Sequence, residues 1–129
     1  MGSEQQTILV IDDNEDIRNL LSMVLEKDGY LVLKAIDASD GLEKIEGNKT
    51  DLVLLDVMMP GISGLDLLTT IRDHKKKEIN TVPICMITAK SSVEDIDKAL
   101  DLGATSYIVK PFRPTALSEK VKALLTPTN

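Results

Sequence analysis

The sequence predicts an α/β fold, a single doubly wound domain built on a five-stranded parallel sheet, (βα)5. Three observations carry this. Short apolar runs alternate five times with stretches of helical periodicity. The clearest runs, at 8–11, 52–55 and 84–87, are continuously apolar, as strands covered by helices on both faces must be. A chain of 129 residues is also long enough for one domain to bury a core without a disulfide or structural metal.

The elements follow in order. A strand at 7–11 leads into a helix at 14–27, where Ile17, Leu20, Leu21, Val24 and Leu25 form one apolar stripe and Glu15, Arg18, Asn19, Glu26 and Lys27 lie off it. Gly29 ends that helix in a left-handed position. The run 31–35 is a less purely apolar strand, which suits a sheet edge, and a helix at 39–46 follows it. A strand at 52–55 precedes a helix at 64–75, which Ser63 and Asp66 open with capping-box spacing. A strand at 83–87 precedes a helix at 92–101, opened in the same way by Ser91 and Glu94 and closed by Gly103. The last pair is a strand at 105–109 and a helix at 114–125 with Pro114 in its first turn. The domain is expected to span 7–125, with polar tails at 1–6 and 126–129.

A net charge of -6 argues against a nucleic-acid surface, and Lys75, Lys76 and Lys77 read as a solvated helix end. Cys85 is the only cysteine and sits in an apolar run, so a buried reduced thiol is expected. No apolar stretch is long enough to span a membrane, and Met1 to Gln6 is too polar for a secretory signal, so a cytoplasmic domain is expected. His74, the only histidine, reads as a solvated surface residue.

The polar residues that end the apolar runs carry the functional argument. Asp12 and Asp13 follow the first run, Asp56 the third, Thr88 the fourth and Lys110 the fifth. Parallel strands bring all five to one carboxyl edge, where open α/β sheets bind ligands. A loop that cradles phosphate directly is rich in Gly, Ser and Thr, whereas Ile11-Asp-Asp-Asn14 repels phosphate unless a cation intervenes. Helix capping needs only one such residue and leaves the second aspartate unexplained. Three carboxylates make an all-oxygen site suited to magnesium, with Asp13 and Asp56 as inner ligands and Asp12 as an outer one. Calcium is less well served, because the loop glycine and distal glutamate of an EF-hand are absent. Asp56 is placed to act as a nucleophile on phosphorus, with Lys110 as a second counter-charge and Thr88 as a donor to a phosphoryl oxygen. A cis Lys110-Pro111 bond would aim the ammonium inward, although a Lys-Pro taken alone reads more readily as a solvent-facing lysine before a turn proline.

Four segments together resemble the receiver domain of two-component response regulators: Ile8-Leu-Val-Ile-Asp-Asp13, Asp51-Leu-Val-Leu-Leu-Asp-Val-Met-Met-Pro-Gly61, Val82-Pro-Ile-Cys-Met-Ile-Thr-Ala89 and Gly103-Ala-Thr-Ser-Tyr-Ile-Val-Lys-Pro-Phe112. The resemblance implies a flavodoxin-like strand order, 2-1-3-4-5. It implies that Asp56 is the phosphoacceptor, that Asp12, Asp13, Asp56 and the Met58 carbonyl hold Mg2+, with Mn2+ as a substitute, and that Thr88 and Lys110 bind the phosphoryl group. Thr88 and Tyr107 are then the switch that remodels the surface of the fourth helix, fifth strand and fifth helix, although Tyr107 alone reads as a half-buried aromatic on an edge strand. Met58 and Lys90 are expected to border the pocket. The implied partners are a sensor histidine kinase or histidine phosphotransfer protein, docking on the first helix around Asn14, Ile17 and Leu21, and a downstream effector or output domain. The resemblance further implies a signalling module that catalyses only its own phosphorylation and slow dephosphorylation, as a monomer or a phosphorylation-dependent dimer.

Two other functions fit the same architecture less well. An aspartate-nucleophile phosphatase needs a second aspartate shortly after the nucleophile as general acid, and Val57, Met58 and Met59 stand there instead. A flavin carrier needs the phosphate-cradling loop and aromatic faces, and the chain has one phenylalanine, two tyrosines and no tryptophan.

Overall fold

The computed structural model describes residues 5–59 and 61–126. Pro60 of the third-strand motif, and the parts of the expected tails at 1–4 and 127–129, lie outside the described residues. The elements are β1 (Thr7–Ile11), α1 (Glu15–Lys27), β2 (Leu31–Ala35), α2 (Ala38–Gly47), β3 (Leu52–Leu55), α3 (Gly64–Arg72), α4 (Lys77–Asn80), β4 (Ile84–Thr88), α5 (Val93–Asp101), β5 (Ser106–Val109) and α6 (Pro114–Leu125). All five strands are parallel in the order β2-β1-β3-β4-β5, which makes β2 an edge as its mixed composition suggested.

Strand alternation divides the core in two. Leu9, Ile11, Val53, Leu55, Ile84 and Met86 face one side, packed with Ile45 of α2, Leu67, Leu68 and Ile71 of α3, Ile79 of α4 and Ala99 of α5. Ile8, Val10, Leu52, Leu54, Cys85 and Ile87 face the other, with Leu21 and Leu25 of α1 and Leu117 and Val121 of α6. Each such side chain contributes about 1.5–3 kcal/mol when fully buried. That is why β3 tolerates no polar residue on either face. Cys85, the second residue of β4, is buried, and burial pushes its thiol up to about 12.

Caps mark the helix ends. Asn14, Asp37, Ser63 and Ser92 each accept a backbone N–H from the first turn of the helix that follows. Gly29 and Gly103, at φ 97° and 110°, end α1 and α5 in a conformation that other residues rarely adopt. The N–H of Leu31 donates to the Gln6 carbonyl, and the amide of Gln6 reaches the Leu125 carbonyl at 3.4 Å, so the chain is tied down before β1 begins.

Four expectations need correction. The third helix stops at Arg72 rather than 75, because Asp73 to Lys77 offers no apolar side chain to the sheet; the one-turn α4 then buries Ile79. The lysine run therefore lies in a connection and at the start of α4, not at the end of α3. The cap of α5 is Ser92, whose side chain bonds Asp95, one residue later than the Ser91 and Glu94 box; both serines fit the pattern. His74 is not simply solvated: its Nε2 lies 2.9 Å from Glu46 of α2, and its Nδ1 accepts the Lys76 N–H.

The amino edge of the sheet is closed by Arg72. Its guanidinium donates to the carbonyls of Gly103 at 2.8 Å, Asn80 at 3.1 Å and Val82 at 2.7 Å, so α3, the start of β4 and the start of β5 share one side chain. Burial lowers its pKa, and no carboxylate pairs with it among the described residues.

Candidate functional site

Strand order reverses direction between β2-β1 and β1-β3, so the crevice lies at the carboxyl ends of β1 and β3. Asp12 and Asp56 extend those strands by one residue: the Asp12 N–H donates to the Ala35 carbonyl and the Asp56 N–H to the Ile11 carbonyl. Both carboxylates are withdrawn from solvent, with Asp12 2% and Asp56 6% exposed. Gly64, the first residue of α3, lies so close that a Cβ would collide with the Asp56 carbonyl, and its N–H donates to Val57. The start of α3 thus rests on the main chain of Asp56, which only glycine permits.

Lys110 bridges the two acids. Its Nζ lies 2.8 Å from Asp12 Oδ2 and 3.1 Å from Asp56 Oδ2, and the Lys110-Pro111 bond is cis as the sequence suggested. The other oxygens accept backbone N–H groups, Asp12 from Asn14 at 2.9 Å and Asp56 from Met58 at 3.0 Å. Burial raises the Asp12 pKa above the ordinary aspartate value, outweighing the lowering effect of the Lys110 and Asn14 hydrogen bonds. Burial alone would lower Lys110, but its bonds to Asp12 and Asp56 and their charges leave it above the usual lysine value.

Asp13 completes the cluster. Carboxylate oxygens of Asp12, Asp13 and Asp56 lie within 4.8 Å of one another, and Asp13 is exposed. Capping does not account for the aspartate pair, since Asn14 caps α1. Three carboxylates facing one ammonium leave negative charge unmatched, and an all-oxygen set at this spacing fits a hard divalent cation.

Thr88, 0% exposed, stands on the same edge, but its hydroxyl accepts the Lys90 N–H at 3.4 Å and bonds neither carboxylate. Tyr107 is half-buried on β5, as read from sequence, and its hydroxyl donates to the Lys90 carbonyl at 2.7 Å. Burial, followed by the charges of Asp95 and Asp56, raises its pKa. Met58 and Lys90 border an open cleft of about 490 Å3 beside Asp13.

The structure therefore brings Asp12, Asp13, Asp56 and Lys110 together, and sets Thr88 at the end of β4 and Tyr107 on β5 beside them, both gripping Lys90 of the loop that follows β4. One expected partner contact fails: Leu21 is buried against the sheet, and the exposed apolar residue of α1 is Met23. Sequence reasoning missed the Asn14 cap, the double grip on Lys90, the Gly64 approach, and Arg18, whose Nη1 donates to the Asp12 carbonyl at 2.7 Å. A bond from a side chain to a main-chain carbonyl leaves no pattern in a sequence, although Gly64, just after the cap Ser63, was a readable signal.

Fold and site define a class: a doubly wound α/β domain whose switch-point crevice holds carboxylates and a lysine in place of a phosphate-cradling loop. The chain belongs to the response regulator receiver domain family, whose model matches residues 8–122. It is 42% identical over 118 residues to the regulatory protein VanR of Enterococcus faecium, covering 92% of this chain and 49% of that protein. It is equally, 42%, identical to the alkaline phosphatase synthesis transcriptional regulatory protein PhoP of Bacillus subtilis, covering 92% and 48%. The chain spans about half the length of the curated relatives it matches. Among solved structures, the chemotaxis protein CheY4 of Vibrio cholerae is similar with a TM-score of 0.88 and 30% identity over 95% of this chain and 100% of that one. A CheY-like receiver domain protein of Methanospirillum hungatei gives 0.86 and 34% over 95% and 94%. No helix among the described residues is long and apolar enough to cross a membrane.

Proposed function

We propose that this receiver domain takes a phosphoryl group on Asp56 from a sensor histidine kinase or histidine phosphotransfer protein in the cytoplasm, in a Mg2+-dependent reaction. The observation that carries the reading is the Asp56 carboxylate, withdrawn from solvent, bonded to Lys110 and grouped with Asp12 and Asp13. In the reaction a carboxylate oxygen of Asp56 bonds to phosphorus as the bond from phosphorus to the donor imidazole breaks, and the released imidazole regains a proton. Asp12, Asp13, Asp56 and the Met58 carbonyl would hold the cation, Mg2+ or in its place Mn2+, which supplies counter-charge to the phosphoryl oxygens. Lys110 supplies the second counter-charge, released from part of its present pairing as Asp56 becomes an acyl phosphate.

Thr88 and Tyr107 form the switch of this reading. Both now hold Lys90, Thr88 through its N–H and Tyr107 through its carbonyl. A phosphoryl group adds about 1.5 to 2 negative charges and new acceptors. These draw the Thr88 hydroxyl away from Lys90 and loosen the loop before α5, so the change reaches α5, β5 and α6, the surface offered to an effector or an attached output domain. The names of the relatives, transcriptional regulatory proteins, support gene regulation as that output. Incubation with acetyl phosphate, with magnesium or with chelator, followed by intact-protein mass spectrometry, tests the proposal. One phosphoryl group is expected on the wild type with magnesium and none on Asp56→Ala; equal uptake by that variant would reassign the acceptor.

A further inference from the structure

The geometry points to Arg18 as the positioning residue that aims Asp13 into the acidic cluster. The inference rests on the reading of that cluster as a Mg2+ site. Asp13 is exposed and its carboxylate accepts no hydrogen bond among the described residues, yet it lies with the Asp12 and Asp56 oxygens. With nothing gripping the side chain, its direction is inherited from the backbone that carries it. The peptide joining Asp12 to Asp13 presents the Asp12 carbonyl, and Arg18 Nη1 holds that carbonyl at 2.7 Å. The remaining grips on Asp12 lie elsewhere: its N–H on Ala35, its carboxylate on Asn14 and Lys110. Arg18 stands on α1, a helix fixed against the sheet by Leu21 and Leu25, so the carbonyl is tied to a rigid element.

Two effects of Arg18 oppose each other, and their opposite signs make the inference testable. As a charge, it repels a divalent cation from the cluster, so its removal would tighten binding. As a positioning group, its removal frees the peptide plane and weakens binding, and groups that orient metal ligands are worth about 10–100-fold in affinity. The positioning effect is the larger.

The experiment is calorimetric titration of Mg2+ into the full chain as wild type, Arg18→Ala, Arg18→Lys, Asp13→Asn and the Arg18→Ala/Asp13→Asn double variant, each checked by its metal-free melting temperature. Arg18 is half-buried, and alanine, the strongest helix former, keeps α1 intact at that position. Arg18→Ala is expected to weaken Mg2+ binding about tenfold or more. Arg18→Lys, which keeps a donor on a long stem, recovers most of that loss. Because Arg18 acts through Asp13, Arg18→Ala adds no further loss to Asp13→Asn, a non-additivity that a merely structural role would not produce. Unchanged or tighter binding by Arg18→Ala, or fully additive losses, overturns the inference while leaving the Mg2+ site standing. A wild type that takes up no Mg2+ at millimolar concentration overturns the metal reading itself, and the inference with it.

Discussion

At the carboxyl edge of the sheet, Lys110 is shared between Asp12 and Asp56 while Asp13 stands near with no hydrogen-bond partner among the described residues; at the amino edge, Arg72 meets among those residues only neutral oxygens, the carbonyls of Asn80, Val82 and Gly103 and the hydroxyl of Thr105. Both cations are half-buried, and both tie strands to neighbouring loops. The difference lies in what is left over. Arg72 satisfies carbonyls that would otherwise lie inside without partners, and nothing more is needed there. Lys110 is outnumbered by carboxylates, so its edge carries an electrostatic deficit that an outside cation can fill. The sheet is held rigid at one end and kept receptive at the other.

The largest effect should separate these two roles directly. Arg72→Met is expected to cost about 2–4 kcal/mol in urea unfolding, because three carbonyls lose their donor. Lys110→Met should cost about 1–3 kcal/mol without metal, since it leaves two buried carboxylates short of a donor. Mg2+ should recover much of the Lys110→Met loss by binding the folded state, while shifting Arg72→Met no more than it shifts wild type. Equal recovery in both would break the comparison.

A smaller effect follows from Asp12. Its folded pKa is raised by burial, so its ionised form opposes folding above that pKa, and the opposition disappears as pH falls through it toward the unfolded value of about 3.9. Asp12→Asn should therefore stabilise the metal-free protein at neutral pH by about 0.5–2 kcal/mol. The gain should shrink toward zero in acid, and melting curves from pH 7 to pH 3 would register that trend. A gain that grew in acid would reverse the sign assigned to the site. The smallest effect concerns α5, the helix that runs from the carboxyl edge back to the amino edge: Ser92→Ala should destabilise by about 1 kcal/mol, and Ser91→Ala by a few tenths at most, because only Ser92 caps α5.

Much of this was readable in the sequence because the main signals are periodic. The fully apolar runs at 8–11, 52–55 and 84–87 appear in β1, β3 and β4, and the polar residue after each run or at its end falls on one edge without any knowledge of side-chain contacts. What escaped depends on geometry between distant segments. Arg72 and Arg18 act on main-chain carbonyls, which every residue possesses, so neither arginine differs in sequence from a solvated one. The one-turn α4 was invisible because a single apolar residue, Ile79, carries no period. The Leu21 error had another source: the stripe that identifies a buried face was also taken as a docking face, and one side chain cannot serve both.

Cys85 gives the molecule a built-in clock. Its thiol lies on the second residue of β4, between β3 and β5, and stays protonated in the folded protein at any ordinary pH. Alkylating reagents attack the thiolate, so modification waits for the strand to open. The rate at which one sulfur is labelled therefore reads, in native buffer, how often β4 comes away from its neighbours. Reporting through a single position, it lets opening be compared before and after any change made at either edge.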